Sequence, residues 1–382
     1  MKDNSKFSDF TFLAIMFLML FMLTSYAYKF YSLYSLLLTV ITILVVILFI
    51  ITFKLSKRLL FDLLFLILII ISTGYVVLQS DIHSFDDLSS YIGLIMGLLF
   101  VYILSKTKLN IRGSKIIIFY LVVIISLFLG TLISSNYNRS GYLMYGFENQ
   151  NSTGVYFLVF LISFDLVMTS KCNHRKILNL IVLLAGLILL YLIGSRTSLF
   201  SFIIYLIVRN ISLRKKSLKL LIKLIIGIPF IIPLIYIITW VYLGESGITI
   251  LGREIFTNRE NLWINIFDNA QLLIHGNYSN LDNFLLTSQG SHNMYLSLMW
   301  GYGLFNFIII VIFIYRAVSN ILIRNFITER NILVSKSVFA LGVMFLHGSF
   351  EDVLFRNIWV TIMAFSLLIF SNNHKREFKN EK

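Results

Sequence analysis

A single cysteine, Cys172, stands in 382 residues, which excludes an internal disulfide. Charge is scarce as well: 13% of residues are charged, against 58% hydrophobic, and the mean hydropathy is +0.87. No single core could hide so much apolar surface, so a water-soluble globule is excluded. No Pro- or Ser-rich linker, low-complexity tract or internal repeat divides the chain, and residues 1–382 read as one integral-membrane domain. Among the 6 histidines there is no His-x-x-x-His pair, so a zinc site is not expected, nor any other metal. The first apolar run follows Lys2 and Lys6 and is not succeeded by a small-x-small cleavage site. It is expected to remain as a span.

What is present is a series of apolar runs close to the length of a bilayer crossing, roughly 20 residues. They predict an all-α polytopic bundle of about twelve transmembrane helices, at residues 10–28, 32–53, 59–78, 88–105, 116–134, 152–169, 177–194, 197–208, 220–243, 294–315, 337–350 and 358–371. Runs 197–208, 337–350 and 358–371 are short for a span, and the first of these reads as one arm of a bent or re-entrant hairpin.

The net charge of +14 would suit a nucleic-acid partner were it not so one-sided. With alternate loops assigned to alternate sides, the basic residues of the odd connectors, from Lys2 and Lys6 through Arg209–Lys223 to Lys382, share one face. Only Lys29, Arg139, Arg196, Arg253, Arg259 and Arg356 lie opposite. The positive-inside rule then puts both termini in the cytoplasm and residues 244–293 outside, and no nucleic-acid partner is expected. Five of the six outer basic residues are arginines, which stay charged in a dry site and grip phosphate oxygens in pairs.

Polar content within the spans is rare and therefore informative. Asp62 and Asp165 lie near cytoplasmic helix ends, and spacing suggests ion pairs with Arg58 and Lys171. The outer loop 79–87 clusters Asp81, His83, Asp86 and Asp87. A solvated acidic turn is favoured there over a hard-cation site. On the outer face four polar pieces follow residue 135: 136–153, the Gly194-Ser195-Arg196 break, the loop 244–293, and His347–Arg356. Irregular backbone at membrane depth survives only where protein or a water-filled cavity surrounds it, so four such pieces on one side are expected to converge.

Inside the long loop, Thr257-Asn258-Arg259-Glu260 reads as a capping box. Leu262, Trp263, Ile266, Phe267, Ala270, Leu273 and Ile274 then follow at helical spacing. An amphipathic helix lying in the membrane interface is predicted, with Trp263 at headgroup depth and Arg259 in its first turn. Arg259 is open to two roles, a substrate-anion ligand or a partner for Glu254 or lipid phosphate. Arg196 is open to two as well, an anion ligand or a side chain snorkelling to the interface. His292 begins a span between Ser291 and Asn293, where a structural hydrogen-bonder and a general base are both possible. Glu351 either orients a base or pairs with Arg356.

Taken in order, these pieces resemble the O-antigen polymerase/O-antigen ligase family of polytopic glycosyltransferases. Asn149-Gln150-Asn151-Ser152-Thr153-Gly154 resembles that family's mid-chain N-x-N-x-x-G start of a span, and Gly194-Ser195-Arg196-Thr197-Ser198 its S-R-small break. Arg259-Glu260-Asn261-Leu262-Trp263 resembles the opening of its large outer loop. Ser291-His292-Asn293-Met294-Tyr295-Leu296, with Gly301 and Gly303, resembles the close of that loop. Residues 135–357 would be the family-like catalytic region. Asn258 stands where a glycine usually precedes the loop arginine, so Arg253, preceded by Gly252, rivals Arg259.

The resemblance implies inverting glycosyl transfer from an undecaprenyl-diphosphate-linked oligosaccharide, on the outer face of a bacterial cytoplasmic membrane, without a cofactor. His292 would be the base, and Arg196 and Arg259 would stabilise the leaving diphosphate. Asn151 and Asn293 would position sugar or backbone, with Arg253, Trp263 and Glu351 as further substrate-binding residues. The expected product is a capsule, O-antigen or exopolysaccharide polymer. Membrane lipids, a chain-length regulator and a flippase are the expected partners. A ligase moving finished glycan to another acceptor is the nearest alternative, and a flippase or proton-coupled transporter for such lipids a more distant one.

Overall fold

The computed structural model describes residues 31–52, 57–80, 85–106, 150–171, 176–243, 249–250, 253–254, 259–278, 293–328 and 332–351, together with residue 14. The architecture is helical: α1 (Tyr31–Thr52), α2 (Lys57–Gln79), α3 (Phe85–Lys106), α4 (Gln150–Lys171), α5 (Lys176–Ile193), α6 (Arg196–Val208), α7 (Lys215–Leu243), α8 (Arg259–Asp268), α9 (Ala270–His275), α10 (Met294–Thr328) and α11 (Ile332–Gly348). Between α7 and α8, strands β1 (Thr249–Ile250) and β2 (Arg253–Glu254) form one small antiparallel pair, Ile250 opposite Arg253.

By length and composition alone three stretches could cross a membrane, Lys176–Ile193, Lys216–Ile235 and Met294–Asn320, the last of them bent at Gly303, and shorter apolar helices accompany them. Their outward faces are those of a membrane protein. Leu78 is 83% exposed and Ile177 77% exposed, positions that water would not tolerate in such numbers. On α5 the buried set is Leu183, Gly186, Leu190 and Ile193, one stripe at helical spacing, while the remaining faces carry exposed Ile and Leu. Gly186 admits Leu161 of α4 so closely that a Cβ would meet its methyls at 2.4 Å.

The expected spans from 32–53 to 88–105 and from 152–169 to 220–243 match α1–α3 and α4–α7 to within a few residues. The segments 10–28, 116–134 and 358–371 lie outside the described residues, as does most of loop 244–293.

The predicted span 294–315 has a different form. Gly303 adopts φ 85°, ψ 160°, which only glycine takes without strain, and α10 bends there. The rings of Tyr295 and Phe307 meet edge to face with centroids 5.0 Å apart. A straight helix would separate these positions by about 18 Å. The first arm, 294–302, therefore folds back on the second. It is buried all round, with Met294, Tyr295, Leu296, Leu298, Met299, Trp300 and Tyr302 in the core. Carbonyls loosened by the bend find other donors: the Asn277 N–H donates to Trp300 O at 2.6 Å and Asn306 Nδ2 to Tyr302 O at 2.7 Å.

The amphipathic helix of the outer loop is likewise two pieces. Asn269 breaks it, so that α9 docks on the α10 bend, where Gly276 (φ 86°) and Gly303 touch backbone to backbone. Side chains at either glycine would come within 3 Å of the other strand. Trp263 is fully buried, because α8 leans on α7. Of the predicted apolar face, Trp263, Ile266 and Leu273 are covered by protein, while Ala270 and Ile274 are exposed.

Asp165 corrects a second expectation. It is fully buried and pairs with Arg209 Nη1 at 2.8 Å and Lys336 Nζ at 3.3 Å in place of the Lys171 that spacing suggests. Tyr205 donates to it at 2.7 Å and Asn179 at 2.5 Å. One carboxylate thus ties together α4, α5, α6 and α11. The side chain of Asp62 lies outside the described part of the molecule.

Candidate functional site

α5 reverses into α6 through Gly194, whose φ of 77° makes the tight turn that the Gly-Ser pair suggests. Ser195 becomes the N-cap of α6, and its carbonyl accepts the first helical bond, from Leu199 at 3.0 Å. Its hydroxyl leaves the backbone alone and donates to Ser198 Oγ at 2.9 Å. Ser198 in turn meets His347 Nε2 of α11 at 3.0 Å. All three side chains are buried, while Arg196, on the same first turn, is exposed. The pairing is tight because Gly154 of α4 presents no side chain to Ser195 and Ser198.

Asn151, on the first turn of α4, reaches across the same junction and donates from Nδ2 to Glu351 Oε1 at 3.2 Å. Glu351 is 3% exposed and lies one turn beyond His347, whose carbonyl accepts its N–H at 3.1 Å.

Asn293 supplies the fourth strand of this knot. Its Oδ1 accepts the N–H groups of Tyr295 and Leu296 at 2.9 and 3.0 Å, capping the first arm of α10. Its Nδ2 donates to Ser349 O at 3.0 Å and to Pro229 O at 2.8 Å. The second acceptor follows from sequence: Pro233 has no N–H, so the carbonyl four residues back on α7 is left without its helical donor. Asn293 fills that vacancy, and Tyr295 OH adds a second strap to Ile226 O at 2.6 Å. Every donor and acceptor of the Asn293 amide is spent on backbone. Of the two uses expected, sugar or backbone, its geometry serves backbone.

The N-termini of α4, α6 and α10 therefore all meet the short segment 347–351 that ends α11. Helix N-termini each carry about half a positive charge from unpaired N–H groups. Three gathered at one end bring donors there, but the C-termini of α5 and α11 and the buried Glu351 carboxylate meet the same junction, and Asn293 already takes two N–H groups of α10. The exposed Arg196 is the cation that the described residues offer an anion here.

The other expected site residues are distributed as follows. His292 lies outside the described residues, but it immediately precedes Asn293. Arg259 opens α8 and Arg253 lies in β2, and the side chains of both fall outside the described part. Trp263 belongs to the core. Ser195, Ser198 and His347 were within the sequence pieces named, yet no role was expected of them. The signal that would have found them is Gly154 opposite two serines, a contact invisible without the fold. Among the described residues no group of three His, Cys, Asp or Glu side chains could hold a metal ion. Comparison with family models, characterised proteins and solved structures finds no match for this chain.

Proposed function

We propose that this chain is a membrane glycosyltransferase that polymerises undecaprenyl-diphosphate-linked oligosaccharide repeat units. The observation that carries this reading is the gathering of three helix N-termini and Arg196 around the end of α11, one residue from His292. His292 immediately precedes Asn293, the residue that caps α10 at this junction. A glycosyl diphosphate donor needs a cation such as Arg196 where its leaving group gathers charge, and a base near the attacking hydroxyl.

In the proposed step an acceptor hydroxyl attacks the anomeric carbon as His292 takes its proton. The new glycosidic C–O bond forms with inversion, and the bond from carbon to the diphosphate oxygen breaks. The departing diphosphate keeps that electron pair, balanced by Arg196, Arg259 and the helix ends. In the full reading a bundle of about twelve spans, both termini cytoplasmic, holds this end outside the membrane. A transporter is disfavoured by Asp165, whose charge is already held by two cations, Arg209 and Lys336, and two neutral donors, Tyr205 and Asn179. A ligase would use the same residues and differ in its acceptor.

The test is in vitro transfer by purified full-length protein with lipid-linked repeat units, across pH. His292→Ala should lose about 10²–10⁴-fold in rate and the acid limb of the profile. Arg196→Lys should lose most turnover at unchanged protein level, since lysine lacks the planar fork. Near-wild-type turnover by His292→Ala would remove the base assignment, and transfer only onto a foreign acceptor would make the protein a ligase.

A further inference from the structure

The opposite end of the bundle carries positive charge that the fold itself does not use. From Leu166 to Gly244 there is no acidic residue, so basic side chains in that stretch find no carboxylate nearby in sequence. Arg209 and Lys336 share the one carboxylate of Asp165, which leaves this buried cluster net positive. Arg209 gives Asp165 only an Nη1 donor, out of the five N–H groups a guanidinium has. The connector 211–214 is then pinned to α11, because Leu213 N–H donates to Ser335 Oγ at 2.8 Å, next to Lys336. Arg214, exposed at the end of that connector, is thereby held at the same corner as the cluster.

α7 extends the charge upward. Leu218, Ile222, Ile225 and Ile226 form its buried stripe, and Lys216, Lys219 and Lys223 are exposed on the face turned away. Lys223 lies about 10 Å along the helix from Lys216. Orientation in a membrane needs basic residues in the connector, not two turns up a spanning helix. Beside the lysines, Leu220 is 60% exposed and Leu224 52% exposed. Long lysine side chains rising past exposed leucines match a surface whose neighbour has an anionic head and an apolar tail. An acidic soluble protein would answer the charges and leave the leucines uncovered.

We propose that this corner, formed by Arg209, Arg214, Lys216, Lys219 and Lys223, binds the phosphate headgroup of an anionic phospholipid. The acyl chains lie against Leu220 and Leu224. The site is independent of the glycosyl-transfer reading, since it uses the other end of the bundle and none of the same residues.

The experiment reconstitutes full-length protein in vesicles of equal phosphatidylglycerol and phosphatidylcholine, then counts retained lipids by native mass spectrometry after extraction. The wild type should retain phosphatidylglycerol preferentially. Each basic residue near an anionic surface is worth about fivefold in partitioning. A Lys216→Gln/Lys219→Gln/Lys223→Gln variant should therefore lose at least about tenfold of that preference. The matching triple Lys→Arg variant should keep it, which separates charge from fold damage. Absence of any preference in wild type overturns the proposal, as does a preference undiminished in the glutamine variant. Displacement of the lipid by inorganic phosphate at equal concentration also overturns it, by showing a free-anion site.

Discussion

Gly154→Ala tests the junction of α4, α6 and α11 with a single methyl group. A Cβ there would lie 2.3 Å from Ser195 Cβ, 2.4 Å from Ser195 Oγ and 2.7 Å from Ser198 Oγ. Ordinary contacts of this kind are about 3.5–4.0 Å, so the helix starts must separate by about 1 Å or more. Asn151 lies one turn before Gly154, and its 3.2 Å bond to Glu351 is already long. A shift of that size breaks it and pulls Ser198 from His347. Stability should respond far less. Alanine gains up to about 1 kcal/mol of helix propensity over glycine, against about 1–3 kcal/mol for overpacking. The expected result is a melting temperature close to wild type with turnover down about 10²-fold, the cost of misplacing a site by about 1 Å. Adding Ser195→Gly removes the two closest clashes and costs an N-cap only a few tenths of a kcal/mol, so it should restore part of the activity. Full turnover in Gly154→Ala, or no recovery at all in the double variant, would refute the assignment of this junction as the support of the site.

Two further outcomes follow from the buried polar groups. Asp165→Ala leaves Arg209 and Lys336 without their carboxylate and should cost about 3–5 kcal/mol in detergent unfolding, whereas an apolar replacement of all three residues should be near neutral; equal losses in both variants would refute the charge argument. Asn293→Asp keeps the cap acceptor of α10 but loses both donors to Pro229 and Ser349, so it should melt well below wild type and no better than Asn293→Ala, an ordering that thermal unfolding reads directly.

The helices were legible because apolar runs alternate with charged connectors: from Tyr31 to Leu243 these locate α1–α7 within a few residues where they are described. The bend of α10 was not. Its first arm is apolar on every side, as a span would be, and uniform apolarity does not distinguish contact with lipid from burial in protein. Trp263 shows the same ambiguity, since helical spacing tells which face is apolar and says nothing of what covers it. Charge pairing failed for another reason. Asp165 has Lys171 six residues away in sequence, but its partners are 44 and 171 residues distant, supplied by helices that only the fold brings alongside.

Polar interruptions carried more information than apolar runs, and the physical reason is cost. A polar group within the hydrocarbon must find a partner, so the chain retains few that lack one. Asn151, Ser195 and Glu351, separated by up to 200 residues, were each legible as interruptions, and all three lie at one junction. The same rule explains why Ser198 escaped notice. A serine in a spanning helix can satisfy itself on the carbonyl four residues back, as Ser163 and Ser337 do. Its presence therefore demands no partner. Contacts with Ser195 and His347 distinguish Ser198 from those self-satisfied serines, and they depend on Gly154, where the absence of a side chain lets the helix starts close together.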